Sequence, residues 1–158
     1  MPKPRASSTA PARPATRYHH GDLRRALVDT ALAMVTEEGA WNFPLREVAR
    51  RAGVSHTASY NHFEDKAALL AEVAVLGFQS LRQTMEAADR GHPRSARQAF
   101  AGIAAAYVRF GLEHPAHYRL MFGAELADRA RHSTLQATGD ATFAVGSENC
   151  GVAGLKSF

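Results

Sequence analysis

From Leu23 onward, apolar side chains return every three or four residues. Leu23, Leu27 and Ala31, then Met34 and Val35, fall on one face of a helix, while Arg24, Arg25, Asp29, Glu37 and Glu38 lie mostly off that stripe. Gly39 is placed to end the run. A second, short helix is predicted over residues 45 to about 52. Leu45, Val48 and Ala49 share its apolar face; Arg46, Glu47, Arg50 and Arg51 turn to water; Pro44 suits its first turn. Gly53 can take the left-handed conformation that stops a helix sharply, Val54 can plug the corner, and Ser55 is a natural N-cap. A third helix then runs from 55 to roughly 63. A fourth covers 65 to about 88, with Leu69, Leu70, Val73, Leu76 and Leu81 as its contacts, and Gly91, His92 and Pro93 break it. A fifth, about 94 to 113, places Phe100, Ile103, Tyr107 and Phe110 on one stripe, and His114-Pro115 separates it from a short helix at 116–121. No alternating run is long enough to argue for a sheet, and there is no internal repeat.

The expected fold class is therefore all-α: a three-helix headpiece over 18–66, followed by a partial helical domain over 67–132. With 158 residues, 46% of them hydrophobic, the chain can fill one ordinary core. Its two ends read differently. Residues 1–17 carry Lys3, Arg5, Arg13 and Arg17 among prolines and small residues, with no acid, and read as a flexible basic arm. Beyond about 133, scattered Gly, Ser and Thr with little periodicity predict a poorly ordered tail, of a composition foreign to the preceding domain. Prolines stand where a signal peptide would need an apolar core, and no apolar run approaches the roughly 18 residues of a membrane helix. A cytoplasmic location is expected. The single cysteine, Cys150, has no internal disulfide partner, which fits a reducing compartment. A net charge of +4 tilts the choice of partner only modestly toward nucleic acid.

Residues 45–70 carry the chemistry. Two short helices joined by a glycine corner form a helix-turn-helix, and Ala49 is small enough to let them cross closely. The second of the pair presents His56, Thr57, Tyr60, Asn61 and His62. Such a helix fits a major groove about 12 Å wide and points its first turn at base edges. Its N-terminal amides and Tyr60 can meet phosphates, and Lys66 supplies a plain charge contact. Each residue also has a simpler reading. Phe63 is a core aromatic, and an isolated surface histidine or lysine ordinarily does nothing but meet water. Only the surrounding pattern favours DNA. His114 and His117 lack a neighbouring cysteine or acid cluster and have Pro115 between them, so they do not read as metal ligands. The histidines at 19 and 20 are no stronger. The Phe100, Ile103, Tyr107 and Phe110 stripe reads first as core and second as an effector pocket. There is no Ser/His/Asp order in recognisable context, no Gly-rich phosphate loop and no metal-ligand spacing, so no enzyme and no cofactor is expected.

Three segments together resemble the TetR/AcrR family of bacterial regulators: Arg46 to Ala49 as Arg-x-Val-Ala, Gly53 to Ser55 as Gly-Val-Ser, and Tyr60 to Lys66 as Tyr-x-His-Phe-x-x-Lys. The likeness extends over about 18–78. It implies that His56 and Thr57 face bases, that Tyr60, His62 and Lys66 hold phosphates, and that Arg46 lies near the backbone or groove edge. Ser55 and Asn61 complete the DNA-binding set. It further implies a repressor that binds a palindromic operator as a homodimer and is released by a small-molecule effector. Two departures stand out. Pro44 occupies a position where the family commonly has Ser or Thr. After residues 114–122, which resemble part of the family's regulatory domain, too few suitable residues follow for its two long pairing helices, which puts effector binding and dimerisation in question. The competing expectation is a truncated helical interaction protein that heterodimerises or has lost DNA binding.

Overall fold

The computed structural model describes residues 20–90, 95–126, 128 and 131–150. The basic arm expected over 1–17 lies outside them. Among the described residues, seven helices follow one another: α1 (His20–Glu38), α2 (Leu45–Arg51), α3 (His56–Tyr60), α4 (Lys66–Asp89), α5 (Ala96–Glu113), α6 (Pro115–Phe122) and α7 (Ser133–Cys150), with a 3₁₀ turn at Ala124–Leu126. No strand occurs among the described residues. The fold is all-α, as the periodicity predicts.

The central helix is α4, because its apolar positions go nearly all the way round. Leu69, Leu70, Val73, Ala74, Phe78, Leu81 and Met85 are buried, and α1, α5, α6 and α7 each pack on it. One continuous core results. It runs from Leu27, Met34, Val48 and Phe63 in the first part of the chain to Ile103, Phe110, Leu120, Met121 and Leu135 in the second. The side chains at helix starts explain the helix boundaries. Asp65 accepts from the Ala68 amide at 2.7 Å to open α4, and Ser95 forms a reciprocal capping box with Gln98 to open α5. Pro115 sits at the first position of α6, so that helix begins one residue before the expected 116.

Three expectations need correction. Pro44 is not in the first turn of α2 but is its N-cap, in extended conformation at φ −78° and ψ 155°, with no side-chain cap. The stripe on α5 runs through Ile103, Ala106 and Phe110, with Ala99 half-buried before them, and Phe100 is 53% exposed. An aromatic three residues before Ile103 falls to one side of the buried seam. Finally, the tail expected to be poorly ordered from 133 is helical as far as Cys150. Weak apolar periodicity concealed it, because the stripe that packs inward, through Leu135, Gly139, Thr142 and Val145, is built partly of glycine and threonine. Leu135 is fully buried, and the buried Thr142 hydroxyl lies 3.1 Å from the Phe78 carbonyl and 2.8 Å from that of Thr138. A hydroxyl that bonds back into its own helix can be buried without an unsatisfied donor. Residues 151–158 lie outside the described set.

The short α6 joins the two halves of the chain. The Arg119 guanidinium donates to the Gly39 carbonyl at 2.6 Å, just past the end of α1. On its other side the His117 Nε2 lies 2.7 Å from the Val73 carbonyl of α4, so that nitrogen carries the proton. Gly77 makes this approach possible. A Cβ there would lie 2.6 Å from Met121 Sδ and 2.7 Å from His117 Nε2.

Candidate nucleic-acid interface

The corner between α2 and α3 is built by backbone hydrogen bonds. Gly53 adopts φ +70°, and a Cβ added there would meet nothing within 4 Å, so glycine is required by conformation and not by space. The Val54 amide bonds to the Ala49 carbonyl at 3.0 Å and the Gly53 amide to that of Arg50 at 3.2 Å, the paired bonds of a Schellman motif. Val54, half-buried, plugs the turn. Ser55 then accepts from the Ala58 amide at 3.1 Å and starts α3.

Helix α3 has five residues, shorter than the expected span to 63. Asn61 is its C-cap, and the amides of His62 and Phe63 both return to the Ser59 carbonyl. Phe63 turns in to the core at 1% exposure. Ser59 is fully buried, its hydroxyl donating to the His56 carbonyl at 2.7 Å, and Ala58 is half-buried. These small side chains let the helix lie close to the body of the protein. The opposite face carries Ser55, His56, Thr57, Tyr60 and Asn61, all exposed; Tyr60 is 49% exposed. The His56 and Tyr60 rings meet edge to face at 4.9 Å between centroids, one helical turn apart. The structure thus brings the base-facing and phosphate-facing candidates of α3 onto one accessible surface. His62 is half-buried beyond the end of the helix.

Lys66, half-buried at the start of α4, donates to the Trp41 carbonyl at 3.2 Å. An ammonium has three donors, so this bond aims the head group while two remain. Arg46 is exposed on α2. The other two arginines of that helix are committed to carboxylates. Arg50 grips Glu47 with two bonds of 2.6 and 2.9 Å, and Arg51 reaches Glu37 and Glu38 at 3.0 Å each, fastening α2 to the end of α1. The Arg50 contact, helped by Arg51, holds the Glu47 carboxyl down at about 2.

Reading the sequence missed Arg24, which it treated as a solvated face. Its guanidinium donates to the His62 carbonyl at 2.8 Å, pairs with Glu72 at 2.8 Å and lies 4.5 Å from the centre of the Phe63 ring. No local pattern announces this, because its partners lie 38 and 48 residues away.

Of the effector-pocket candidates, Ile103 and Phe110 are buried and Phe100 is exposed. Tyr107 bonds to the Tyr118 hydroxyl at 2.5 Å; burial, then this bond, pushes its phenol up from the ordinary range. Around that pair Phe78, Phe122 and Phe143 complete an aromatic cluster between α4, α5, α6 and α7. An open surface groove of about 480 Å³ lies elsewhere, lined by Ser80, Gln83, Thr84, Ala87, Ala88 and Arg109, and none of the four candidates faces it.

The family model for bacterial regulatory proteins of the tetR family matches residues 27–73, a stretch that takes in most of α1, all of the corner and the first turns of α4. Residues 27–73 are a tetR-family segment. The chain is 32% identical over 98 residues to the uncharacterized HTH-type transcriptional regulator YobS of Bacillus subtilis strain 168, covering 62% of this chain and 50% of the relative. It is 34% identical over 58 residues to the HTH-type transcriptional regulator AcrR of Shigella flexneri, covering 37% of this chain and 27% of that one. The chain therefore spans half the length of the first of these curated relatives and about a quarter of the second. Among solved structures, it resembles a protein of unknown function from Rhodococcus sp. RHA1 at 35% identity and a TM-score of 0.68, over 85% of this chain and 69% of that one. A tetR-family regulatory protein from Rhodococcus RHA1 shares the fold at 21% identity and a TM-score of 0.60, over 83% of this chain and 70% of that one. Among the described residues, no helix is long and apolar enough to cross a membrane.

Proposed function

We propose that this chain binds double-stranded DNA in a sequence-dependent manner and regulates transcription, with α3 docked in the major groove. The observation that carries the reading is the outer face of α3, where Ser55, His56, Thr57, Tyr60 and Asn61 are exposed together on a helix whose inner face is closed by Ser59. A helix with buried small residues behind and polar residues in front, set after a glycine corner, has the shape and chemistry of a groove reader. In this reading His56 and Thr57 contact base edges. Tyr60, His62 and Lys66 contact phosphates, the last aimed by the Trp41 carbonyl, and Arg46 approaches the groove edge. Ser55 caps α3, and Asn61 lies at its far end.

The finer parts of the reading follow from the family. The chain acts as a repressor in the cytoplasm, on a palindromic operator whose half-sites match a homodimer. A small apolar molecule taken up beside Ile103, Tyr107 and Phe110 releases it from DNA. The Arg119 bond to Gly39 and the His117 contact with α4 support such coupling, because they connect that region to the headpiece through one short helix.

Selection from random duplex DNA followed by sequencing tests the proposal. It is expected to recover a shared motif with two-fold symmetry. Recovery of no motif, with binding equal on all duplexes, overturns sequence-dependent recognition.

A further inference from the structure

Outside the residues assigned to DNA, the densest convergence on the interface is at Arg24. Helix α3 has one turn and a half, and a helix that short cannot hold its own position. Its N-terminal side is fixed by the Gly53 corner and the Ser55 cap. Its C-terminal side leads directly into the Asn61–Phe63 turn, and there the fixing element comes from another helix. Arg24 on α1 makes three contacts of different kind at one place. It donates through Nη1 to the His62 carbonyl, it pairs through Nη2 with Glu72 of α4, and its guanidinium stacks over Phe63. Phe63 is 1% exposed and so is a fixed platform, while Glu72 is set by the packed α4. A planar fork that uses its two arms and its face at once leaves its partners one arrangement. That arrangement places the His62 backbone relative to α1 and α4 together.

We propose that Arg24 is a positioning residue for DNA recognition: it clamps the exit of α3 so that Tyr60, Asn61 and His62 meet the duplex in register, without touching DNA itself. The inference rests on the DNA-binding reading above. Its Nη1 and Nη2 are each engaged within the protein, by the His62 carbonyl and by Glu72, and the Glu72 carboxylate offsets its charge. It therefore differs from Lys66 in a measurable respect. A residue that meets phosphate contributes to the salt dependence of binding, and one that acts through the backbone of another does not.

The test uses the full chain, a duplex recovered by selection from random DNA, and a scrambled duplex of the same composition. Arg24→Ala is expected to weaken binding to the selected duplex about tenfold, with less effect on the scrambled one, and to leave the slope of log affinity against log salt unchanged. Arg24→Lys keeps the charge but loses the fork and the stack, and is expected to recover part of that loss. Glu72→Gln is expected to move in the same direction as Arg24→Ala but less far. Amide exchange supplies a readout independent of DNA. The His62 and Phe63 amides, both bonded to Ser59, are expected to exchange roughly tenfold faster in Arg24→Ala, with little change in α5 or α7. A slope smaller by about one overturns the proposal in favour of a direct phosphate contact. A lower melting temperature with unchanged affinity per folded molecule and unchanged exchange at 62 and 63 overturns it in favour of a general structural role. If the unmodified chain prefers no duplex, the DNA reading fails on its own account, and with it the role in recognition, while the exchange result still decides whether Arg24 holds the end of α3.

Discussion

Replacing Gly53 by alanine isolates the conformational cost of the corner on which the interface is built. At φ +70° a residue with a Cβ is strained by about 1–2 kcal/mol. The environment adds nothing, since the new methyl group would have no neighbour within 4 Å. Alanine also narrows the unfolded ensemble, which offsets about 0.4–1 kcal/mol of that strain. The net expectation is a destabilisation of about 1 kcal/mol, which in a chain of this size lowers the melting temperature by about 2–4 °C. Asparagine tolerates the left-handed region better than alanine, so Gly53→Asn should lose less, and Gly53→Val should lose more because a β-branched residue tolerates it least. Chemical denaturation of the three variants, with the slope against denaturant held as a check on two-state behaviour, gives the order directly. A Gly53→Ala protein more stable than the unmodified one, or a Gly53→Val no less stable than Gly53→Ala, would refute the reasoning, because it would mean that the corner does not depend on a positive φ. A cost of 4 kcal/mol or more would refute it differently, by showing a steric clash where the structure leaves open space.

Two further predictions concern the second half of the chain. Burial, and then the nearby His114, lower the His117 pKa from 6.5, against the opposing pull of the Val73 carbonyl. A depressed histidine pKa means that the unfolded chain takes up a proton first, so stability is full above about 6.5 and declines as the pH falls through the folded value. His117→Gln should remove that part of the acid sensitivity, measured as melting temperature between pH 7.5 and 5; an unchanged difference across that range would contradict the assignment. Leu135→Ala should cost about 2–5 kcal/mol if α7 belongs to the core, and Thr142→Val about 1 kcal/mol, both read by chemical denaturation. Values below 0.5 kcal/mol for Leu135→Ala would return α7 to a loosely attached tail.

The parts of this fold legible in the sequence are those where local chemistry and packing agree. Gly53, Val54 and Ser55 announce the corner because each has a conformational or hydrogen-bonding reason to be there, and the structure gives each the role its chemistry suggests. Helices α1 and α4 were legible from a stripe that repeats over many turns. Where the determinants are distant or sparse, the pattern was silent. Arg24 is indistinguishable from Arg25 by spacing, yet Arg25 pairs loosely with its neighbour Asp29 at 3.6 Å while Arg24 spans three elements. Phe100 looked like core because aromatics usually are, although the buried seam passes beside it. Helix α7 was hidden by its threonines and glycines, and what holds it is contact with α4 rather than its own propensity.

Regulation by this chain requires α3 and the start of α4 to meet duplex DNA. Fluorescence anisotropy of a selected duplex across a range of salt, for the unmodified chain and for Lys66→Ala, tests that most directly. The predicted result is tighter binding to the selected duplex than to a scrambled one, with a slope of log affinity against log salt that becomes shallower by about 0.9 in Lys66→Ala. Identical curves for the two proteins, or no preference for the selected duplex, would contradict it.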